Sequence, residues 1–178
     1  DLSVAGRGDR VDLAMFYVSN RKVVEALLAA DGRGASIRMV LDPNKDAFGH
    51  TKKGIPNRQV ARELVTRSAG RIAVRWYDTH GEQFHTKLVL VNRGDSMTVM
   101  GGSANLTRRN IDDFNLEANL RFELPATAPL AGDVSRYFQR IFENQEGEFT
   151  FPVEAYWDEG LVKRIRYRIQ EFTGLCTF

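Results

Sequence analysis

The run FHTKLVLV at residues 84–91 sets His85 and Lys87 two positions apart inside an otherwise apolar segment. In an extended chain successive side chains alternate faces. Phe84, Thr86, Leu88 and Leu90 then look one way, and His85, Lys87, Val89 and Val91 the other. At about 3.3 Å per residue, the imidazole and the ammonium stand roughly 6.6 Å apart on one face, close enough to converge on a small anion. Downstream, GGSANLTRRN at 101–110 places a glycine pair, ending at Gly102, where backbone can approach a bound group without an intervening Cβ. Ser103 and Asn105 add uncharged hydrogen-bond donors there. Farther on, FNLEANL at 114–120 alternates Phe114, Leu116, Ala118 and Leu120 against Asn115, Glu117 and Asn119. A polar row of that kind needs partners if it is buried.

Each part has a physical task if the ligand is a phosphodiester. Lys87 would neutralise one non-bridging oxygen, while Ser103 and Asn105 hydrogen-bond the others. His85 is the group whose ordinary pKa lets it attack or donate a proton near neutrality. Glu117 would accept the other ring N–H and fix the tautomer. A histidine like His85, taken alone, reads as a satisfied core residue; Lys87 on its face and GGSAN downstream turn that reading toward a site. His80 with His85 and Asp78 lacks sensible metal-ligand spacing. GGSANLT lacks the G-K-[ST] ending of a phosphate-binding P-loop. RGD occurs at 7–9 and 93–95, and short tripeptides of that kind recur by chance.

The elements that must hold these residues follow from apolar periodicity. VDLAMFYV (11–18) reads as a strand, NRKVVEALLAA (20–30) as a helix capped by Asn20, and IRMVLD (37–42) as a second strand, which together form a β-α-β unit with parallel pairing. The polar loop 43–57 sits at a strand end, where α/β proteins place ligands. A helix over 58–69, a strand over 71–78, a hairpin of 84–91 and 96–102 turning at 92–95, an alternating strand over 113–124 and an amphipathic helix over 129–145 complete the order. That alternation predicts an α/β fold: a mixed sheet flanked by helices on both faces. LVKRIRYRIQEF (161–172) fits a helix through Leu161, Ile165, Ile169 and Phe172. It equally fits a strand with Arg164, Arg166 and Arg168 on one face. The arginines of this tail read as a solvated or salt-bridged surface.

The totals bound the class. The chain has 178 residues, 43% hydrophobic and 27% charged, an ordinary soluble composition read as one domain over 1–178, with a core near 11–145 and an extension over 146–178. A net charge of +2 permits a polyanion partner without demanding one. The single cysteine, Cys176, excludes an internal disulfide, and no run reaches the roughly 20 apolar residues that span a bilayer. The start at Asp1 and the long tail suggest a piece of a longer chain.

In its motifs the sequence resembles the phospholipase D superfamily, whose signature is H-x-K-x4-D-x6-G-S-x-N. The match covers His85, Lys87, Gly102, Ser103 and Asn105, with Asn115 and Glu117 placed as members usually show them. Asn92 stands where the signature has aspartate, and Asp95, with the expected six residues between it and Gly102, is a shifted equivalent. The resemblance implies catalysis by His85, Lys87, Ser103, Asn105 and Glu117, and substrate contacts from Lys87, Gly102, Ser103, Asn105 and Asn115. It implies no metal and no other cofactor. In the family two such motifs face each other to build one site, where one histidine forms a phosphohistidine and the other serves as acid and base. This chain carries one motif, and HTK at 50–52 is not followed by G-S-x-N. The expectation is therefore a half-site, resembling the C-terminal half of a cardiolipin synthase-like protein, completed by an upstream half or a homodimer partner. The implied activity is that of a phospholipase D-like phosphodiesterase or phosphatidyltransferase. A nuclease of the same superfamily binding nucleic acid, or a non-catalytic interaction module, are the alternatives. Phe48, Trp76, Phe84 and Phe114 are apolar residues available for a lipid, while NKDAFGHTKK (44–53) and TRRN (107–110) offer a basic groove for nucleic acid. A cytoplasmic or peripheral membrane location fits either.

Overall fold

The computed structural model describes residues 2–44, 46–47, 50–51, 54–112, 114–157 and 160–173. Phe48, Cys176 and part of the basic stretch 44–53 lie outside the described residues. The chain folds as β1 (Arg10–Met15), α1 (Arg21–Gly32), β2 (Ser36–Leu41), β3 (Asp46–Ala47), β4 (His50–Thr51), α2 (Asn57–Arg67) and β5 (Ala73–Tyr77). It continues as β6 (Lys87–Asn92), β7 (Ser96–Gly102), α3 (Arg108–Ile111), β8 (Asn119–Pro125), α4 (Pro129–Glu143), β9 (Thr150–Pro152) and α5 (Leu161–Thr173). Seven strands form one mixed sheet in the order β8-β7-β6-β1-β2-β5-β9. The first three major strands pair in parallel, and the strands outside them pair antiparallel.

The near-continuous apolar runs of β1 and β2 are explained by burial on both faces of this sheet. On one face Val11, Leu13 and Met15 meet Val24, Leu27 and Ala30 of α1 and Val60 and Leu64 of α2. On the other, Ala14 and Leu90 meet Ala131, Phe138 and Ile141 of α4. Asp12, the one acid in β1, is buried against α4's side of the sheet, where the Arg38 guanidinium grips it through bonds of 2.8 and 2.9 Å. Asn20 caps α1 as its position predicts, its side chain accepting from the Lys22 and Val23 N–H groups. The expected α/β architecture with helices on both faces is the one observed.

Three local readings need correction. The strand expected over 84–91 begins only at Lys87, because Phe84 to Thr86 leave the β-ladder, although the Phe16 N–H still donates to the Thr86 carbonyl at 2.9 Å. The strand expected over 113–124 is shorter: residues 114–118 are irregular and β8 starts at Asn119. Its alternation does not sort residues into core and surface, since Phe114, Leu116, Leu120 and Phe122 are all exposed on this edge of the sheet. The tail resolves as a helix, α5, and the sheet runs on past residue 145 through β9.

Candidate functional site

The ends of β1, β6 and β7 meet at one edge of the sheet, beside the N-terminus of α1. Two backbone connections build that edge. The residues after β1 bridge to the GGSAN loop: Leu106 N–H donates to the Tyr17 carbonyl at 3.0 Å, and the Ser19 and Asn20 N–H groups donate back to the Leu106 carbonyl at 2.9 and 3.0 Å. The segment before β6 is held from β2, where the buried Asp42 carboxylate accepts the Phe84 N–H at 2.8 Å. Phe84 stacks on Tyr77, with ring centroids 4.2 Å apart, which anchors the residue preceding His85.

The alternation read from the sequence holds across Lys87, Val89 and Val91. The valines enter the core beneath α1 while Leu88 and Leu90 pack toward α4. Lys87 is only 8% exposed, and His85 above it is open to solvent. The Lys87 ammonium lies 3.0 Å from His85 Nδ1 and 3.3 Å from Nε2, and donates to the His85 carbonyl at 2.9 Å. Both groups rest against the Phe16 ring, whose centroid is 4.8 Å from the imidazole and 5.4 Å from Nζ. Burial first, then the Lys87 charge, pushes the His85 pKa below the ordinary histidine value. Burial also lowers the Lys87 pKa, opposed by the charge of Glu117. The lowered His85 pKa favours the neutral imidazole, whose lone pair is then available beside the buried Lys87 side chain.

A cavity of about 370 Å³ opens beside Lys87, with Gly102, Asn105, Asn110 and Asn119 also on its walls; His85 and Ser103 are not among its lining residues. Met15, Val89, Met100 and Leu106 supply an apolar lining. Asn105 accepts the Tyr17 N–H through Oδ1 at 3.2 Å, an orientation that leaves its amide nitrogen to donate. Gly102 is required by crowding rather than by φ. A Cβ at this position would stand 2.3 Å from the Ala118 carbonyl oxygen and 2.7 Å from Asn119 Cα.

The remaining expected residues divide. The Ser103 hydroxyl donates to the Glu117 carboxylate and accepts the Ala118 N–H at 3.0 Å. Glu117 therefore does not orient His85; its two oxygens are engaged by Ser103 and by Asn110. Asn115 is not brought to the cavity: it is exposed and accepts from Arg109 at 3.2 Å. Asn110 is the residue that sequence reasoning missed. It lies on the single turn of α3, accepts the Thr107 hydroxyl at 2.6 Å and meets Glu117, and no periodic pattern marks it. Asn92 lies at the far end of β6, where its Oδ1 accepts the Gly94 N–H at 3.1 Å and shapes the hairpin turn. His80 pairs with Asp78 at 3.3 Å in the connection between β5 and β6, and no group of three His, Cys, Asp or Glu side chains among the described residues could hold a metal.

Residues 3–143 match the family model described as "Cardiolipin synthase, PLD-like domain". None of the curated proteins compared matches the sequence. Among solved structures, the chain is similar to a phospholipase D family member, Nuc, from Salmonella typhimurium, with 20% identity over 81% of this chain and 82% of that one, at a TM-score of 0.57. NucT from Helicobacter pylori is 17% identical over 80% and 82% of the two chains, with a TM-score of 0.58. The phosphatidylserine synthase of Haemophilus influenzae Rd KW20 gives a TM-score of 0.62 at 13% identity, covering 96% of this chain and 41% of that one. At these identities the three structures speak to the fold.

Proposed function

From the premise that the chain belongs to the phospholipase D-like domain family of cardiolipin synthase, we propose that it supplies one half of a phosphodiester-cleaving site. The observation carrying this reading is the exposed His85 imidazole set 3.0 Å from the buried Lys87 ammonium, which lines one cavity with Asn105. A phosphoryl group seated there would have one non-bridging oxygen neutralised by Lys87 and another bonded by the Asn105 amide. An imidazole nitrogen attacks phosphorus and forms a P–N bond as the P–O bond to the leaving alcohol breaks. The alcohol takes a proton from the imidazolium of the second half. Water or an acceptor alcohol, deprotonated by that same second imidazole, then attacks phosphorus and frees the first. Ser103, locked to Glu117, acts by shaping the Gly102–Asn105 turn rather than as a direct oxyanion donor.

We read residues 1–178 as one domain, with the second half coming from another copy or a joined repeat. The exposed Phe114, Leu116, Leu120 and Phe122 bordering this edge supply an apolar surface for it to cover. The apolar cavity lining favours an amphiphilic phosphodiester, a phospholipid, over nucleic acid, and a charge of +2 gives no strong field for a polyanion. Hydrolysis of bis(p-nitrophenyl) phosphate by the native chain and by His85→Ala tests the chemistry. Loss of turnover with an unchanged circular dichroism spectrum is expected, and retained turnover refutes it. Release of headgroup from phosphatidylglycerol, against cleavage of single-stranded DNA, separates the two substrate classes.

A further inference from the structure

The helix α5 buries the wrong side for an ordinary amphipathic helix. Its core contact is made by Tyr167 and Glu171, which lie one turn apart and are 1% and 6% exposed. Tyr167 donates its hydroxyl to the Ser19 carbonyl at 2.8 Å, and Arg108 holds the helix C-terminus through the Glu171 and Phe172 carbonyls. The four apolar residues Val162, Ile165, Ile169 and Phe172 are instead 79%, 51%, 58% and 81% exposed. At 100° per residue they fall within one sector opposite the Tyr167–Glu171 face, so the apolar stripe points directly away from the body. A stripe of this size on a surface helix marks a contact.

The charges say what kind of contact. Lys163, Arg164, Arg166 and Arg168 are all basic, and the helix's single acid, Glu171, is withdrawn into the core. On the same helical wheel Arg166 and Arg168 fall on opposite borders of the apolar sector. Apolar side chains flanked on both sides by cations, with no exposed anion among the described residues of the helix, match the boundary of an anionic bilayer: acyl chains accept the stripe and phosphate headgroups Arg166, while Arg168 also reaches Glu63 at 3.5 Å. A second copy of the chain would present the same cations and repel. We propose that α5 is a membrane-docking helix that lies in the plane of an anionic phospholipid surface. Its bond to Ser19 fixes it to the segment whose N–H groups grip Leu106, next to Asn105 in the chain. Surface binding needs no turnover, so its success or failure is separable from that of the catalytic reading.

The test is co-sedimentation of the full chain with vesicles of phosphatidylcholine alone or mixed with phosphatidylglycerol, alongside the chain's mass in solution. The native chain is expected to bind the mixed vesicles, to be released by salt, and to ignore pure phosphatidylcholine. Ile165→Asp with Ile169→Asp should weaken binding at least about ten-fold, and Arg166→Gln about five-fold. Both isoleucines are exposed, so the double variant should fold; Ile169→Ser reads the same contact should it not. Absence of binding to the anionic vesicles, binding indifferent to the isoleucine substitutions, or a solution mass that halves in the double variant would each overturn the proposal, the last by showing a protein interface.

Discussion

Replacing Lys87 by methionine separates what the site costs the fold from what it gives to chemistry. Methionine keeps the length and apolar stem of the side chain but removes a charge that is almost fully buried. Two unit charges about 4 Å apart at an effective dielectric near 20 attract by about 4 kcal/mol. Loss of one pre-positioned donor to a developing oxyanion costs about 3–4 kcal/mol, or roughly 10²- to 10³-fold in turnover. A fall of that size in hydrolysis of bis(p-nitrophenyl) phosphate is expected. Stability should move the other way. Because burial lowers the Lys87 pKa, the folded chain holds this proton less tightly than the unfolded chain does. The ammonium then opposes folding in full below its folded pKa, and that cost fades as the pH rises toward the ordinary lysine value. Methionine removes that cost, so the melting temperature should hold or rise. Imidazole NMR gives a third readout: the Lys87 part of the depression at His85 disappears, and its pKa climbs while staying below the ordinary value because burial persists. Turnover within a few-fold of native, or a lower melting temperature with no change at His85, would refute the argument.

Other consequences are open to measurement. The acid limb of turnover should lie below the ordinary histidine value near 6.5, because the depressed His85 stays neutral to lower pH; a limb at or above that value contradicts the assignment. By the same sign, stability contributed by the neutral ring is complete above about pH 6.5 and falls away as the pH drops toward its folded pKa. Gly102→Ala should force β8 from β7 and lower stability by roughly 1–3 kcal/mol, read by urea denaturation, since its Cβ would meet backbone at 2.3 Å. Asp42→Ala leaves the buried Phe84 N–H unpaired, which should cost about 1–3 kcal/mol by the same measurement. It should also reduce turnover by freeing the His85 segment.

The parts of this account that were legible in the sequence are those written locally. The runs of β1 and β2 are apolar on both faces because helices cover both faces, and period and composition record that directly. His85, Lys87, Gly102 and Asn105 were recognisable because each pair lies within a few residues on one strand or turn. What escaped depends on which layer covers which residue. FNLEANL alternates as a half-buried strand does, yet none of the described elements lies over it, so Phe114 and Leu116 stay exposed and the ladder starts late. Glu117 was assigned to His85 on chemistry alone, whereas the β7–β8 register sets it beside Ser103. In α5 the period was visible, but the choice of Tyr167 and Glu171 as the buried pair depends on Ser19 and Arg108, far away in sequence.

The central claim is that His85, Lys87 and Asn105 together receive a phosphoryl group, and an oxyanion titration followed at the imidazoles tests it most directly. On addition of orthovanadate, a tetrahedral mimic of phosphate, the His85 ring resonances should shift in the native chain and should stay still in Lys87→Met. His80, held by Asp78, should not respond in either. Unchanged His85 resonances at saturating vanadate, or a response confined to His80, would contradict the account.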